Sequence, residues 1–185
     1  MREDNKIVFT GPVGAGKTTA ISALSDVPVI CTDAVASDMT LNRKAQTTVA
    51  MDYGIMKLDT DTKVHLYGTP GQERFDFMWD ILTVGGIGLV VMLDSTRPNP
   101  FKDLAFFLHS FKNYVCDVPV VIGITKLDIK PTPSVYDYSD HLEEATRGFT
   151  LFNRVPPIFA IDGRNKEDLK LLTMSLLYSI DPGIG

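Results

Sequence analysis

Apolar residues come in short runs separated by amphipathic stretches. Residues 6–10 (KIVFT) read as a short buried strand, and residues 18–24 as a helix. Residues 55–59 and 63–67 read as two strands joined by the polar turn Asp59-Thr60-Asp61. Residues 88–93 (GLVVML) and 118–124 (VPVVIGI) are continuous and rich in β-branched side chains, the pattern of strands buried on both faces. Between them, apolar residues at positions 101, 104, 107, 108 and 111 have helical spacing over residues 101–114. Pro131, Pro133, Pro156 and Pro157 bound a segment, residues 136–147, that predicts one more helix. A short strand at 158–161 and a helix at 166–180, with Leu169, Leu172 and Leu176 on one side, close the pattern. Strands alternating with helices predict an α/β fold, a mostly parallel sheet covered by helices.

Composition narrows this picture. The 185 residues are 44% apolar and 22% charged, too apolar for disorder and of a length suited to one domain spanning 1–185. The longest mostly apolar run, 81–93, is broken by Gly85, Gly86 and Gly88 and falls short of the roughly 20 residues of a membrane span. The ends show no apolar signal core, no myristoylation glycine after Met1 and no prenylation cysteine, so a cytoplasmic protein without a direct membrane anchor is expected. Two cysteines, Cys31 and Cys116, cannot form a disulfide scaffold, which points to a reducing compartment. Cys31 is expected to be a small packed residue. His109 and His141 lack partners at metal-ligand spacing. A net charge of −5 argues against a nucleic-acid partner but is compatible with a local anion site.

Such a site is written in Gly11-Pro12-Val13-Gly14-Ala15-Gly16-Lys17-Thr18, which matches G-x-x-x-x-G-K-[ST] with a strand before it and a helix after it. Glycines let backbone N–H groups curl around a phosphate, and the helix N-terminus adds its own amides and dipole. Lys17 supplies a point charge and the Thr18 hydroxyl a ligand for Mg²⁺, with Thr19 beside it. Thr125-Lys126-Leu127-Asp128 follows the 118–124 strand and resembles the N-K-x-D motif of GTPases, with threonine for asparagine. A carboxylate such as Asp128 matches the paired N–H donors of guanine. Asp162-Gly163-Arg164 follows the last strand, and Gly68-Thr69-Pro70-Gly71-Gln72-Glu73 follows the 63–67 strand.

These motifs, in this order and strand context, make the chain resemble a Ras-like small GTPase over about residues 5–180. The resemblance implies a three-layer P-loop fold with a six-stranded, mostly parallel sheet, binding GTP or GDP with Mg²⁺. It implies that Gly71 senses the γ-phosphate, that Gln72 orients the attacking water, and that Thr48, or else Thr47, is a second Mg²⁺ ligand. It implies that Lys126 lies along the base and that Gly163 offers its N–H to guanine, with Asp162 and Arg164 in the same loop. In the family the asparagine replaced by Thr125 ties its loop to the phosphate loop; the shorter threonine implies weaker base affinity. The G-T-P-G-Q and T-T-V-A-M-D-Y-G stretches resemble bacterial and archaeal small GTPases related to gliding-motility, cell-polarity and conservon-encoded proteins. That resemblance implies a Roadblock-type regulator and an effector docking on the switches.

Three positions depart from the pattern. Gly68 replaces the aspartate that holds Mg²⁺ through water, which implies weaker Mg²⁺ coupling. Val13 either crowds the γ-phosphate and slows turnover or packs under the loop. Asp94, at the end of the 88–93 run, either starts a structural turn or acts as a Walker B acid in an ATPase. Arg43, Lys44 and Arg74 are candidates for an arginine finger, or are solvated loop cations. Trp79, with Phe75, Phe77 and Met78, is divided between core and docking surface. A non-hydrolysing scaffold, a kinase and an ATP-using protein remain alternatives to the GTPase switch.

Overall fold

The computed structural model describes residues 5–31, 51–59, 62–71 and 77–181. Thr47, Thr48, Gln72, Glu73, Arg43, Lys44, Arg74 and Phe75 lie outside these residues, as do the side chains of Phe77 and Met78. The strands are β1 (Asn5–Thr10), β2 (Ile30–Cys31), β3 (Asp52–Lys57), β4 (Lys63–Gly68), β5 (Gly86–Asp94), β6 (Val120–Thr125) and β7 (Ile158–Ala160). The helices are α1 (Lys17–Leu24), α2 (Phe77–Thr83), α3 (Pro100–Ser110), α4 (Lys112–Val115), α5 (Val135–Asp140), α6 (Leu142–Ala145) and α7 (Lys166–Ile180).

The strands form one sheet in the order β2-β3-β4-β1-β5-β6-β7. The β2–β3 and β3–β4 pairs are antiparallel and the rest parallel. The α/β class and the mostly parallel sheet are as the alternating pattern predicts. The seventh strand is β2, whose two residues are too few to show any period. It places Cys31 on an exposed edge, not in packing.

Side-chain alternation along the central strands builds two cores. Ile7 and Phe9 of β1 join Val90 and Met92 of β5 against α1 and α7. Val8 joins Leu89, Val91 and Leu93 against Trp79 of α2 and Leu104, Phe107 and Leu108 of α3. Residues such as Leu172 and Leu104 are fully buried, and truncating either to alanine is expected to cost about 2–5 kcal/mol.

Helix boundaries depart from the simple periodicity. Asn99 caps α3 by accepting a hydrogen bond from Lys102 N, with Pro100 at the first position. The chain then kinks at Phe111, which stays buried, so the expected single helix becomes α3 and α4. The 136–147 segment likewise divides at His141, whose ring stacks on Phe101 at 3.8 Å.

The topology positions the candidate chemistry. β1, β4, β5, β6 and β7 run parallel, so their C-terminal ends share one edge of the sheet, where such folds bind ligands. β3 runs antiparallel to β4, which brings the N-terminal end of β3 to that same edge.

Candidate functional site

The loop between β1 and α1 turns through left-handed backbone at Gly14 (φ 83°) and Gly16 (φ 91°), conformations that favour glycine. Gly11 is held by proximity as well, since a Cβ there would lie 1.9 Å from Met92 O. Lys17 opens α1 and folds back over the loop, donating to Gly11 O (2.7 Å) and Pro12 O (2.9 Å). Burial pushes its amine down to about 8, against the opposing pull of Asp52. A phosphate oxygen would compete with these carbonyls for the same amine protons.

The Val13 side chain is 58% exposed, so the expectation that it packs under the loop does not hold. Gly71 presses directly on the loop: a Cβ there would lie 2.6 Å from Val13 N and 2.9 Å from Lys17 Nζ. Thr69 pins this approach, its N–H donating to Phe9 O at 2.8 Å and its hydroxyl to Thr10 Oγ1 at 2.9 Å.

Behind the loop lies a cavity of about 240 Å³. It brings together Ala15, Gly16 and Thr19 with Thr125, Lys126 and Asp128 after β6, and with Asp162, Gly163 and Arg164 after β7. Gly11, Val13, Gly14, Lys17 and Thr18 do not line it; Gly11 lies against Met92 of β5, and Thr18 faces Asp52 of β3. The loop carrying Asp128 is tied down by Thr125, whose buried hydroxyl lies 3.2 Å from Ala15 O and 3.1 Å from Leu93 O. The threonine thus reaches the glycine-rich loop despite its short side chain.

Lys126 takes a left-handed backbone, φ 62°, which costs a non-glycine residue of order 1–3 kcal/mol. Its side chain reaches Asp94, with Nζ 2.5 Å from Oδ2, and lies over the loop, 4.0 Å from where a side chain at Gly14 would begin. Asp94 is a turn residue as well: its Oδ1 accepts from Thr96 N and Thr96 Oγ1. The third segment is anchored through Asp162 N, which donates to Asp168 of α7 at 2.9 Å. Arg164 chelates the Asp162 carboxylate, holding it at about 2, and its own guanidinium is raised by the same pairing.

Two contributors escaped the sequence reading. Ile129, 70% exposed, forms one wall of the cavity; its position directly after the T-K-L-D motif is the available signal. Asp52, first residue of β3, accepts a 2.6 Å hydrogen bond from Thr18 Oγ1. Only the pairing of β3 with β4 reveals it, because that pairing sets Asp52 opposite Gly68.

A mostly parallel sheet with helices on both faces, a glycine-rich loop between β1 and α1, and motif loops at one edge define a P-loop NTPase fold of the small G-domain kind. Residues 9–156 match the family described as "Conserved hypothetical ATP binding protein", and the chain belongs to that family. An uncharacterised protein of Methanocaldococcus jannaschii is 31% identical over 141 residues, covering 74% of this chain and 80% of that protein. GTP-binding protein YPT1 of Saccharomyces cerevisiae is 25% identical over 178 residues, 92% of this chain and 76% of that protein. Intraflagellar transport protein 22 of Chlamydomonas reinhardtii is 26% identical over 106 residues, 57% and 52% of the two chains. The chain is a nucleotide-binding P-loop protein with distant Ras- and Rab-type relatives. Among the described residues no helix is long and apolar enough to cross a membrane.

Proposed function

We propose that residues 1–185 form one G domain that binds GTP and GDP with Mg²⁺ and acts as a molecular switch with slow, partner-stimulated GTP hydrolysis. The observation that carries this reading is the position of Asp128. It stands exposed at the wall of the cavity, on a loop that Thr125 ties to Ala15, with Gly163 opposite. A carboxylate so held matches the two adjacent donors of guanine and finds no such pair on adenine.

The phosphates would lie in the loop amides of 13–18 with Lys17 as counter-charge. The hydroxyl and carboxylate oxygens near Thr18 suit Mg²⁺, which favours hard oxygen donors; Thr18 and Thr48 would hold it. Mg²⁺ supplies neutralisation of charge on the β- and γ-phosphates. Gln72 would position the attacking water, and Gly71, already against Val13 and Lys17, would sense the γ-phosphate and pass its presence to the segment that follows. Val13, exposed beside Gly71, would slow turnover until a partner reshapes that segment. The motif resemblance supports a Roadblock-type regulator and an effector on the switches, in a bacterial or archaeal branch. The same amides would serve a scaffold that binds without hydrolysing.

A second reading, ATP use, is favoured by the description of the matching family as ATP binding and by threonine at position 125. Calorimetric titration with GDP, GTP, ADP and ATP separates the two. Guanine nucleotides are expected to bind more tightly by about tenfold or more, equivalent to about 1.4 kcal/mol. Equal affinity for GDP and ADP overturns the role given to Asp128. Phosphate release by purified protein, alone and with a Roadblock-type partner, then distinguishes switch from scaffold.

A further inference from the structure

The motif after β4 begins with Gly68 where the resembling family carries the acid that steadies Mg²⁺ through water. The space beside Gly68 is filled. A Cβ built there would lie 3.0 Å from Asp52 Oδ2, 3.1 Å from Asp52 Cβ and 2.9 Å from Ile21 Cδ1. Asp52 arrives from the neighbouring strand: β3 and β4 are antiparallel, and Asp52 pairs with Gly68 at the edge where the motifs gather. Its Oδ2 accepts the proton of the Thr18 hydroxyl at 2.6 Å.

That hydrogen bond has a definite chemical consequence. A threonine hydroxyl has one proton and two lone pairs. With the proton committed to Asp52, the lone pairs are left for a cation. Among the described residues the second carboxylate oxygen accepts no hydrogen bond, so it can accept from a metal-bound water, and Mg²⁺ typically keeps several waters.

We propose that Asp52 is the positioning residue for Mg²⁺ in this chain: the carboxylate missing from position 68 is supplied from the first residue of β3. It orients Thr18 and accepts from the ion's water shell. The pairing explains the glycine too. An acid at 68 would have to displace the movable tip of Ile21 and, with Asp52 present, would place two carboxylates side by side. This inference rests on the reading of the chain as a Mg²⁺–guanine-nucleotide binder.

The test follows the dissociation of a fluorescent GDP analogue from the full-length protein across a free-Mg²⁺ titration. In wild type, Mg²⁺ is expected to slow dissociation. Asp52→Asn is expected to raise the Mg²⁺ midpoint about 10–100-fold, the usual effect of losing a hydrogen-bonding partner of a metal ligand, and to leave Mg²⁺-free dissociation close to wild type. Gly68→Asp alone is expected not to lower the midpoint. The double variant Asp52→Gly/Gly68→Asp returns the carboxylate to the other strand, and recovery of the midpoint supports the proposal even if Asp52→Asn folds poorly. A wild-type midpoint in Asp52→Asn that still binds GDP overturns the role of Asp52 alone. Failure of the wild-type protein to bind GDP, or to respond to Mg²⁺, overturns the underlying reading as well.

Discussion

Asp94 shows how one side chain's partners decide its role. Both carboxylate oxygens are engaged, one by Thr96 and the other by Lys126, so its bonds are those of a turn rather than of a Walker B acid. Burial pushes its pKa up, but the bonds from Lys126 and Thr96 outweigh burial and hold the carboxyl below its ordinary value. Asp94→Asn is expected to destabilise the protein by about 1–2 kcal/mol, discounted because Lys126 is partly exposed; urea unfolding measures it. A depressed folded value means the contribution is present above the unfolded value near 3.9 and fades as pH falls through the folded one. The wild type's advantage over the variant should therefore shrink with acidification below about pH 4, seen as converging urea midpoints. The identity of Asp94 was legible as an apolar run ending in an acid. Its role was not, because Lys126 lies 32 residues away. Val13 makes the complementary point: its position in the loop was legible, but that its side chain stands exposed was not.

Among the secondary-structure elements, α7 matches its leucine spacing residue for residue, whereas α2 was hidden. Residues 77–83 adjoin the apolar run into β5, and no polar period separates the helix from the strand. Packing resolves it: Trp79 stacks on Phe111 at 5.1 Å and 17° and touches Phe107, placing it in the core rather than on a docking surface. The rest of the aromatic cluster lies outside the described residues. Trp79 Nε1 is buried without a hydrogen-bond partner among the described residues, so Trp79→Phe removes bulk but no polar contact. We expect a loss of about 1–2 kcal/mol for Trp79→Phe and about 3–5 kcal/mol for Trp79→Ala, read by thermal or denaturant unfolding. Trp79 is the one tryptophan in the chain. Its fluorescence should be blue-shifted in the folded protein and move to the red on unfolding; a solvent-exposed emission would contradict the packing of α2.

Across the molecule as a whole, the sheet works as a jig that gathers the ends of distant strands. The Thr125 hydroxyl meets Ala15 O over a separation of 110 residues, coupling the loop after β6 to the loop after β1. Thr125→Val keeps the volume but leaves Ala15 O and Leu93 O without that donor. It should cost about 1–2 kcal/mol of stability and, on the proposed reading, weaken GDP binding through the loosened Asp128 loop. Paired thermal melts with and without GDP measure both, and an unchanged melting temperature would show the tie to be idle. The α/β class, the phosphate loop and most strand positions could be read from the residue order because each is encoded locally, in contiguous motif residues or in a two- or 3.6-residue period. The seating of Asp52 against Gly68 and Thr18, of Lys126 against Asp94 and of Thr125 against Ala15 could not. Each depends on which strands are neighbours, in which direction and in what register, and the sheet sets these by burying two faces at once.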